Sequence, residues 1–280
     1  MSLVINTNVS ALNAYRNLNN NQSMMNDAIE KLSSGLRINK AADDAAGLSI
    51  SQGLTSQING LTQAVTNAQD ATDVAQIADG ALGTVQSILQ RMRTLTVQAG
   101  NTGTQGTASL TAIGSEMTQL NTQLDAISAQ TKYGATALLD GTYNGTFQVG
   151  ANGGDTIALN LTTAKSDSVT LGTSTLVLAG NTGTYTNANA SADLAKIDLA
   201  IGKASTARSN IGATQNQLSY TTNNLQTAIT NVTASRSNLV DADLATEVSS
   251  MTQAQILTNA ATAVLAQANS APQAILKLLQ

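Results

Sequence analysis

Apolar residues recur at alternating intervals of three and four in four stretches of the chain, within residues 25–36, 54–92, 110–127 and 197–239. This spacing is typical of amphipathic helices that pack along one seam. The last stretch also repeats strictly every seven residues, as coiled coils do. The pattern predicts a mainly α fold. The first stretch is carried by Met25, Ile29, Leu32 and Leu36, and the last by Ile197, Ala204, Ile211, Leu218, Leu225, Val232 and Leu239.

Polar residues interrupt the companion positions of the last heptad at Arg208, Gln215 and Thr222. Polar seam positions lower stability, but they fix the register of the packed helices. We therefore expect this helix to pack in one defined bundle.

The length of the second predicted helix indicates an elongated architecture. A helix from about Leu48 to Val97 would be about 75 Å long at 1.5 Å per residue. A compact globule of this chain length has a diameter of only about 50 Å. If Gly60, Gly80 and Gly83 are tolerated within the helix, the fold is an elongated helical rod or bundle with coiled-coil-like terminal helices.

The period changes between residues 131 and 191, where Thr and Gly become frequent. Alternating runs over 142–149 and 157–161 are typical of strands, with turn signals at Asn144-Gly145 and over 150–155. The region predicts a small β-hairpin insertion between helices. Two further short strands are expected around Val169–Leu171 and Leu176–Leu178.

Two interruptions of the helical pattern, over residues 33–44 and 241–243, divide the chain. Both contain aspartates, which favour helix starts. The predicted organisation has three parts: a terminal-helix domain, a helical rod domain and a short variable β-rich insertion. These parts span residues 1–42 plus 241–280, 43–141 plus 191–240, and 142–190.

Both chain ends carry apolar stripes, although chain ends are usually polar and frayed. One interpretation is that the ends pack on their own domain's core. The other is that they are partly disordered in the monomer and fold against each other and against neighbouring copies, because a repeated contact that does not close a ring gives a helical filament. The predicted polymerisation residues are Leu3, Ile5, Val9, Leu12, Val264, Leu265, Ile275, Leu276 and Leu279.

Composition excludes several classes of function. The chain has 280 residues with 11% charged, a net charge of −4, and no Cys or His. Without basic clusters and aromatic platforms, nucleic-acid binding is not expected. The absence of Cys and His removes disulfides, thiol and imidazole chemistry and ordinary zinc sites. No apolar run is long enough to span a membrane, and the first residues do not resemble a cleaved secretory signal.

Three carboxylate pairs are the candidates for catalysis. Asp43/Asp44 and Asp241/Asp243 precede predicted helices, where aspartate satisfies free N–H groups, so we interpret them as caps. Asp193/Asp198 is the third pair. Gly150–Gly154 leads into a strand and lacks the Lys-Ser/Thr of a phosphate loop, so it is a turn. We expect no enzyme activity and no cofactor.

Several long motifs occur in an order that resembles the bacterial flagellins. They cover both ends of the chain and most of its middle. They are Leu32-Ser33-Ser34-Gly35-Leu36-Arg37-Ile38-Asn39, Asp43-Asp44-Ala45-Ala46-Gly47-Leu48, Leu89–Gln98, Gln148-Val149-Gly150-Ala151-Asn152, Ala254-Gln255-Ile256-Leu257, Val264–Asn269 and Pro272–Leu279.

The resemblance implies a short flagellin with a minimal central insertion, a filament subunit for swimming motility. It implies type III export from the cell, an extracellular flagellar location, and a chaperone on the C-terminal segment. Filament cap and hook-associated proteins are further implied partners. Recognition by a host Toll-like flagellin receptor is implied at the positions of Arg91, Leu95 and Glu116.

Two alternatives remain open. A hook–filament junction protein would share the terminal helices but be made in few copies. An extracellular adhesin would use the Thr-rich region over residues 131–191 to bind surfaces, which leaves the apolar ends unexplained.

Overall fold

The computed structural model describes residues 8–180 and 185–278, with only the backbone described for 271–278. The chain divides into two compact units: unit 1 holds Met1–Ile58 and Thr230–Gln280, and unit 2 holds Asn59–Ile229. The described helices are α1 (Val9–Ser34), α2 (Ala45–Gly100), α3 (Thr107–Gln130), α4 (Ser168–Leu171), α5 (Asn187–Val240) and α6 (Leu244–Leu278). The described strands are β1 (Lys132–Tyr133), β2 (Thr136–Ala137), β3 (Asn144–Gln148) and β4 (Thr156–Asn160).

The predicted mainly α fold with a β-hairpin is confirmed. The apolar seams lie in long helices, except that Leu36 of the first seam lies beyond the end of α1. Helix α2 continues through Gly60, Gly80 and Gly83 without a break. The two predicted interruptions are the gaps between α1 and α2 and between α5 and α6. The predicted domain limits at 42/43 and 240/241 fall at these interruptions and stay a prediction, whereas the two compact units divide inside α2 and α5.

Unit 2 is held together by aliphatic residues of α2, α3 and α5. The heptad positions Ile197, Ala204 and Ile211 of α5 are buried, as the seven-residue repeat predicts. They share two neighbouring cores with residues of the other two helices and of the hairpin. The large buried members include Leu82, Leu89, Met92, Leu95, Leu110, Met117, Leu124, Leu139, Leu159 and Leu161.

The polar seam position Arg208 explains how α5 is aligned on α2. Its Nε lies 2.8 Å from Asp79 Oδ1, and its Nη1 donates to Gln86 Oε1 at 2.9 Å. A guanidinium held by two side chains that lie about two helical turns apart favours one register of the helices.

The hairpin β3–β4 is antiparallel, with Phe147 opposite Ile157. Its connection runs through residues 149–155, where Gly154 has a φ of +99°, so the predicted turn over 150–155 is confirmed. The second predicted turn, Asn144-Gly145, is wrong, because both residues lie in β3. The pair marks the start of the hairpin's first strand.

The strands predicted around Val169–Leu171 and Leu176–Leu178 are wrong. Residues 168–171 form α4, and short 3-10 turns occupy Thr173–Thr175 and Leu178–Gly180. Asp167 caps α4 by accepting from Thr170 N, and Gly172 ends it with a φ of +82°. These local hydrogen bonds outweigh the weak strand propensity of short apolar runs.

Candidate self-assembly surface

Unit 1 is built on an antiparallel pair of α1 and α6. At one end, Asn8 caps α1 by accepting from Ala11 N at 3.0 Å, and its Nδ2 donates to Ala268 O of α6 at 2.8 Å. At the other end, Lys31 Nζ lies 3.7 Å from Glu247 Oε1. One asparagine therefore starts α1 and also fixes its alignment on α6.

The gap between α1 and α2 joins the gap between α5 and α6 by backbone hydrogen bonds. Gly35 ends α1 with a φ of +69°, and Leu36 forms an antiparallel bridge with Asp241. Arg37 N donates to Val240 O at 2.6 Å, and Ala242 N donates to Gly35 O at 2.9 Å. The two interruptions thus form one junction within unit 1.

Of the four aspartates predicted to cap helices, Asp44 and Asp243 do so, whereas Asp241 Oδ2 accepts from Ser237 Oγ at the end of α5. Asp44 Oδ1 accepts from Gly47 N at 2.9 Å, and Asp243 Oδ1 accepts from Ala245 N at 2.9 Å. Asp43 Oδ2 instead accepts from the backbone N–H groups of the loop, and these hydrogen bonds hold the pKa of Asp43 below its ordinary value. The carboxylates at the helix starts therefore accept structural hydrogen bonds from the backbone.

The Asp243 cap predicts that the stability of the start of α6 depends on pH. Backbone donation from Ala245, with further hydrogen bonds from Thr246, holds the pKa of Asp243 below 3.8, its ordinary value. Because the folded pKa is the lower one, this stabilisation is present above the unfolded pKa and lost as pH falls through the folded pKa. In Asp243→Asn, which caps without titrating, we expect this acid-dependent loss to disappear. The amide proton shift of residue 245, followed by NMR during acid titration, measures it. An identical titration in both proteins would contradict the prediction.

The contact between α1 and α6, here called the terminal seam, is made mainly by small residues. Ala14 and Ala28 of α1 and Ala254 and Ala261 of α6 are its buried members. Larger residues at the same heptad spacing are only half-buried. These are Leu18, Met25 and Leu32 on α1 and Met251, Thr258 and Leu265 on α6.

The first apolar stretch is therefore phased differently from the prediction. Ile29 is not in the terminal seam; Met25, Ala28 and Leu32 carry it, and Ile29 is exposed. Hydrophobicity alone predicts that the larger side chain, Ile29, is the one buried in the terminal seam. The close approach of two helices favours the small one, because interaxial distance depends on the side chains at the contact.

A second set of large apolar residues lies outside the terminal seam on the same two helices and is exposed. In α1, Val9 is 62% exposed and Leu12 54%; in α6, Ile256 is 62% and Val264 57%. Buried aliphatic residues of unit 1, by contrast, are mostly alanines. We call this set the apolar flank; its members are Val9, Leu12, Tyr15, Met24, Ile29, Leu244, Val248, Ile256, Leu257 and Val264.

The predicted polymerisation residues divide between these two surfaces. Val9, Leu12 and Val264 belong to the apolar flank, whereas Leu265 belongs to the terminal seam. Leu3, Ile5 and Leu279 lie outside the described residues, as do the side chains of Ile275 and Leu276. Ile256, Tyr15 and the other flank residues inside the helices were not among the predicted polymerisation residues. For those on α6, the available signal is that they lie off the heptad positions of Ala254 and Ala261.

The proposed recognition residues lie in unit 2, on α2 and α3. Arg91 Nε donates to Glu116 Oε1 at 2.8 Å, and both side chains are partly exposed. This ion pair raises the pKa of Arg91. Leu95, one turn further along α2, is only 1% exposed and belongs to the core. The structure therefore brings the two charged residues together and places the leucine beneath them.

The third carboxylate pair is not a pair in space. Asp198 binds Arg93 at 2.8 Å, whereas Asp193 is fully buried and accepts from Val177 N, Leu178 N and Tyr185 Oη. The two aspartates therefore bind different partners. In the part of the chain that the structure describes, no cluster of three acidic residues is placed to hold a metal ion, and no helix is long and apolar enough to cross a membrane.

Comparison with known proteins agrees with the motifs. Residues 5–144 match the family described as the bacterial flagellin N-terminal helical region, and residues 194–279 match the bacterial flagellin C-terminal helical region. The chain is 40% identical to the flagellin of Bacillus subtilis (strain 168) over 302 aligned residues, which cover 99% of each chain. It is 43% identical to the flagellin of Halalkalibacterium halodurans, covering 99% of this chain and 100% of that one.

Among solved structures, the chain is similar to a crystal structure of Bacillus cereus flagellin. The sequences are 31% identical, and the match covers 57% of this chain and 88% of that one with a TM-score of 0.49.

Proposed function

Since the chain belongs to the bacterial flagellin family and is a structural subunit of the flagellar filament, we propose that the apolar flank of α1 and α6 is the surface on which it polymerises. The flank is the observation that carries this proposal. Its large aliphatic side chains are exposed on the two helices whose mutual contact is made by alanines. Exposed large apolar side chains mark protein interaction sites where they gather into patches.

The arrangement of the flank favours a second copy of the chain as its partner. The terminal seam already occupies one face of each helix. The flank therefore stays uncovered by the described residues of unit 1. A contact that joins the flank of one copy to a different surface of the next leaves a free surface at each end unless the rotation closes a ring. Repetition of such a contact gives a helical filament.

Reversible assembly tests the proposal. Filaments of the purified protein are expected to dissociate on heating and to re-form from monomer when salt is added, as seen by negative-stain electron microscopy. Salt strengthens apolar burial and screens the net negative charge, so both effects favour assembly. A protein that stays monomeric at every salt concentration would overturn the proposal.

The nearest alternative is a hook–filament junction protein, which would share the terminal helices. We propose the major filament role because the match to flagellins includes both terminal regions and nearly the full length of the relatives. Deletion of the gene is then expected to remove the filament. A deletion strain that still makes a full-length filament would favour the junction role.

We further propose that the subunit is secreted through the flagellar type III apparatus, with a chaperone on the C-terminal segment and assembly under a filament cap beyond the hook-associated proteins. Family membership supports these partners. The exposed flank supports the chaperone in particular, because α6 presents Ile256, Leu257 and Val264 to water before assembly. A protein that covers them would prevent premature association.

We also propose that Arg91 and Glu116 contribute to a surface that a host Toll-like receptor binds. Their ion pair orients two exposed charges on adjacent helices, and ordered charged side chains suit a specific interface. Leu95 supports them from the core. In a reporter-cell assay, Arg91→Ala is expected to weaken the response while the melting temperature is kept. Leu95→Ala is expected to lower both, and an unchanged response to Arg91→Ala would contradict the proposal.

A further inference from the structure

The chain contains three Asn–Gly pairs, Asn59–Gly60, Asn144–Gly145 and Asn152–Gly153, and all three asparagines are exposed. Asn–Gly is the dipeptide in which an asparagine side chain is most readily attacked by the next backbone nitrogen, because glycine has no Cβ to hinder the approach. The attack requires that this nitrogen be free of hydrogen bonds and that the local backbone be able to rotate. Backbone environment, not exposure, therefore separates the three sites.

The first two pairs are held by regular secondary structure. Gly60 lies inside α2, where each backbone N–H is bonded to the carbonyl four residues earlier. Gly145 lies in β3 opposite Leu159. Leu161 N donates to Tyr143 O at 3.0 Å, so every second residue along the ladder, including Gly145, takes a hydrogen-bonded position. Neither glycine nitrogen is available.

The third pair lies in the turn between β3 and β4. Asn152 N–H is directed to Asp155 Oδ2 at 3.3 Å, and Asn152 O accepts from Gln148 Nε2 at 2.6 Å. The N–H of Gly153 makes no hydrogen bond with any residue that the structure describes. The carboxamide of Asn152 is likewise without a partner among them. Both reacting groups are thus exposed to water in a turn that contains two successive glycines.

We infer that Asn152 is a site of spontaneous deamidation and isomerisation, built into the turn of the β3–β4 hairpin. The backbone nitrogen of Gly153, losing its proton, forms a bond to Cγ of Asn152. The carboxamide nitrogen leaves as ammonia with that proton, and a five-membered succinimide results. Water then opens the ring at either carbonyl, giving an aspartyl or an isoaspartyl residue. No oxidation or reduction occurs.

Either product changes the turn. An aspartyl residue places a carboxylate beside that of Asp155, to which the same residue's N–H is directed. An isoaspartyl residue adds a methylene group to the main chain and shifts the carbonyl that Gln148 and Asp155 now bind. The hairpin buries Val149 and Ile157 against α2 and α5, so a loosened turn weakens that packing. The helical residues covered are Ala68, Ala71 and Leu218.

The three pairs provide internal controls for the test. The purified full-length protein is incubated at mildly alkaline pH and sampled over time. Peptide mass spectrometry then measures the exchange of NH for O at each asparagine, and an isoaspartate-specific methyltransferase detects the isomer. We expect a converted fraction at Asn152 that is several-fold above those at Asn59 and Asn144. In denaturant, where all three backbones are free, we expect similar rates at the three sites.

Gly153→Ala is the matched variant. Nothing lies within 4 Å of a Cβ at this position among the described residues, and the φ of Gly153 is not positive. Alanine is therefore expected to leave the melting temperature unchanged. It should slow conversion at Asn152 several-fold without affecting the other two sites. Equal conversion of the three sites in the folded protein, or full conversion at Asn152 in Gly153→Ala, would overturn the inference.

Discussion

Replacing Ile256 and Val264 together with glutamate is expected to abolish filament formation without lowering the melting temperature of the monomer. Both side chains are more than half exposed and lie outside the terminal seam, so the monomer loses little packing. Glutamate is a good helix former, so α6 is preserved. In the filament, each lost aliphatic side chain removes roughly 1.5–3 kcal/mol of burial, and each buried unpaired carboxylate adds a further penalty.

The loss is measured as a critical concentration for assembly. Two sites that together cost about 3 kcal/mol or more raise it by about 100-fold or more, at about 1.4 kcal/mol for each factor of ten. Sedimentation of filaments from a concentration series gives the value directly. The conservative pair Ile256→Leu and Val264→Leu keeps the apolar surface and is expected to polymerise. Normal filaments from the glutamate variant would show that the flank is not buried on assembly.

Removing the carboxylate of Asp193 is expected to cost roughly 2–6 kcal/mol of unfolding free energy, at roughly 1–3 kcal/mol for each buried donor left unsatisfied. Asp193 is 0% exposed, and its two oxygens accept from Leu178 N at 3.0 Å, Tyr185 Oη at 3.1 Å and Val177 N at 3.0 Å. Asp193→Ala leaves the first two donors buried without an acceptor. Urea denaturation, with hydrogen exchange at Leu178, measures the loss.

Tyr185→Phe is the matched control for Asp193→Ala. Burial raises the pKa of Tyr185 far above its ordinary value, and the neighbouring Asp193 carboxylate raises it further. The tyrosine therefore stays protonated, and its O–H donates a hydrogen bond to the Asp193 carboxylate. Phenylalanine removes that one hydrogen bond and leaves no backbone donor unpaired, so we expect a loss of about 1 kcal/mol. Equal losses in the two variants would contradict the assignment of Asp193 as the acceptor for the chain at 177–178.

The carboxylate pairs show how far sequence reasoning reached at single sites. Capping by Asp44 and Asp243 follows from local chemistry, because the aspartate and the N–H groups that it accepts are neighbours in the chain. The role of Asp193 could not be predicted, since its partners lie outside its own helix and are brought to it only by folding. Nothing in the spacing of Asp193 and Asp198 distinguishes the buried residue from the one that binds Arg93.

The sequence alone determined the long helices, their breaks and the family of this protein. Periodicity and capping are local properties, so the long α2, the heptads of α5 and the hairpin over 142–161 could be predicted from them. Tertiary structure decided which apolar residues pack and which remain exposed. The terminal seam selects Ala28 over Ile29 and Ala254 over Ile256, because two close helices require small residues between them. The large side chains excluded from that seam form the apolar flank, and hydrophobicity read along the chain cannot separate the two sets.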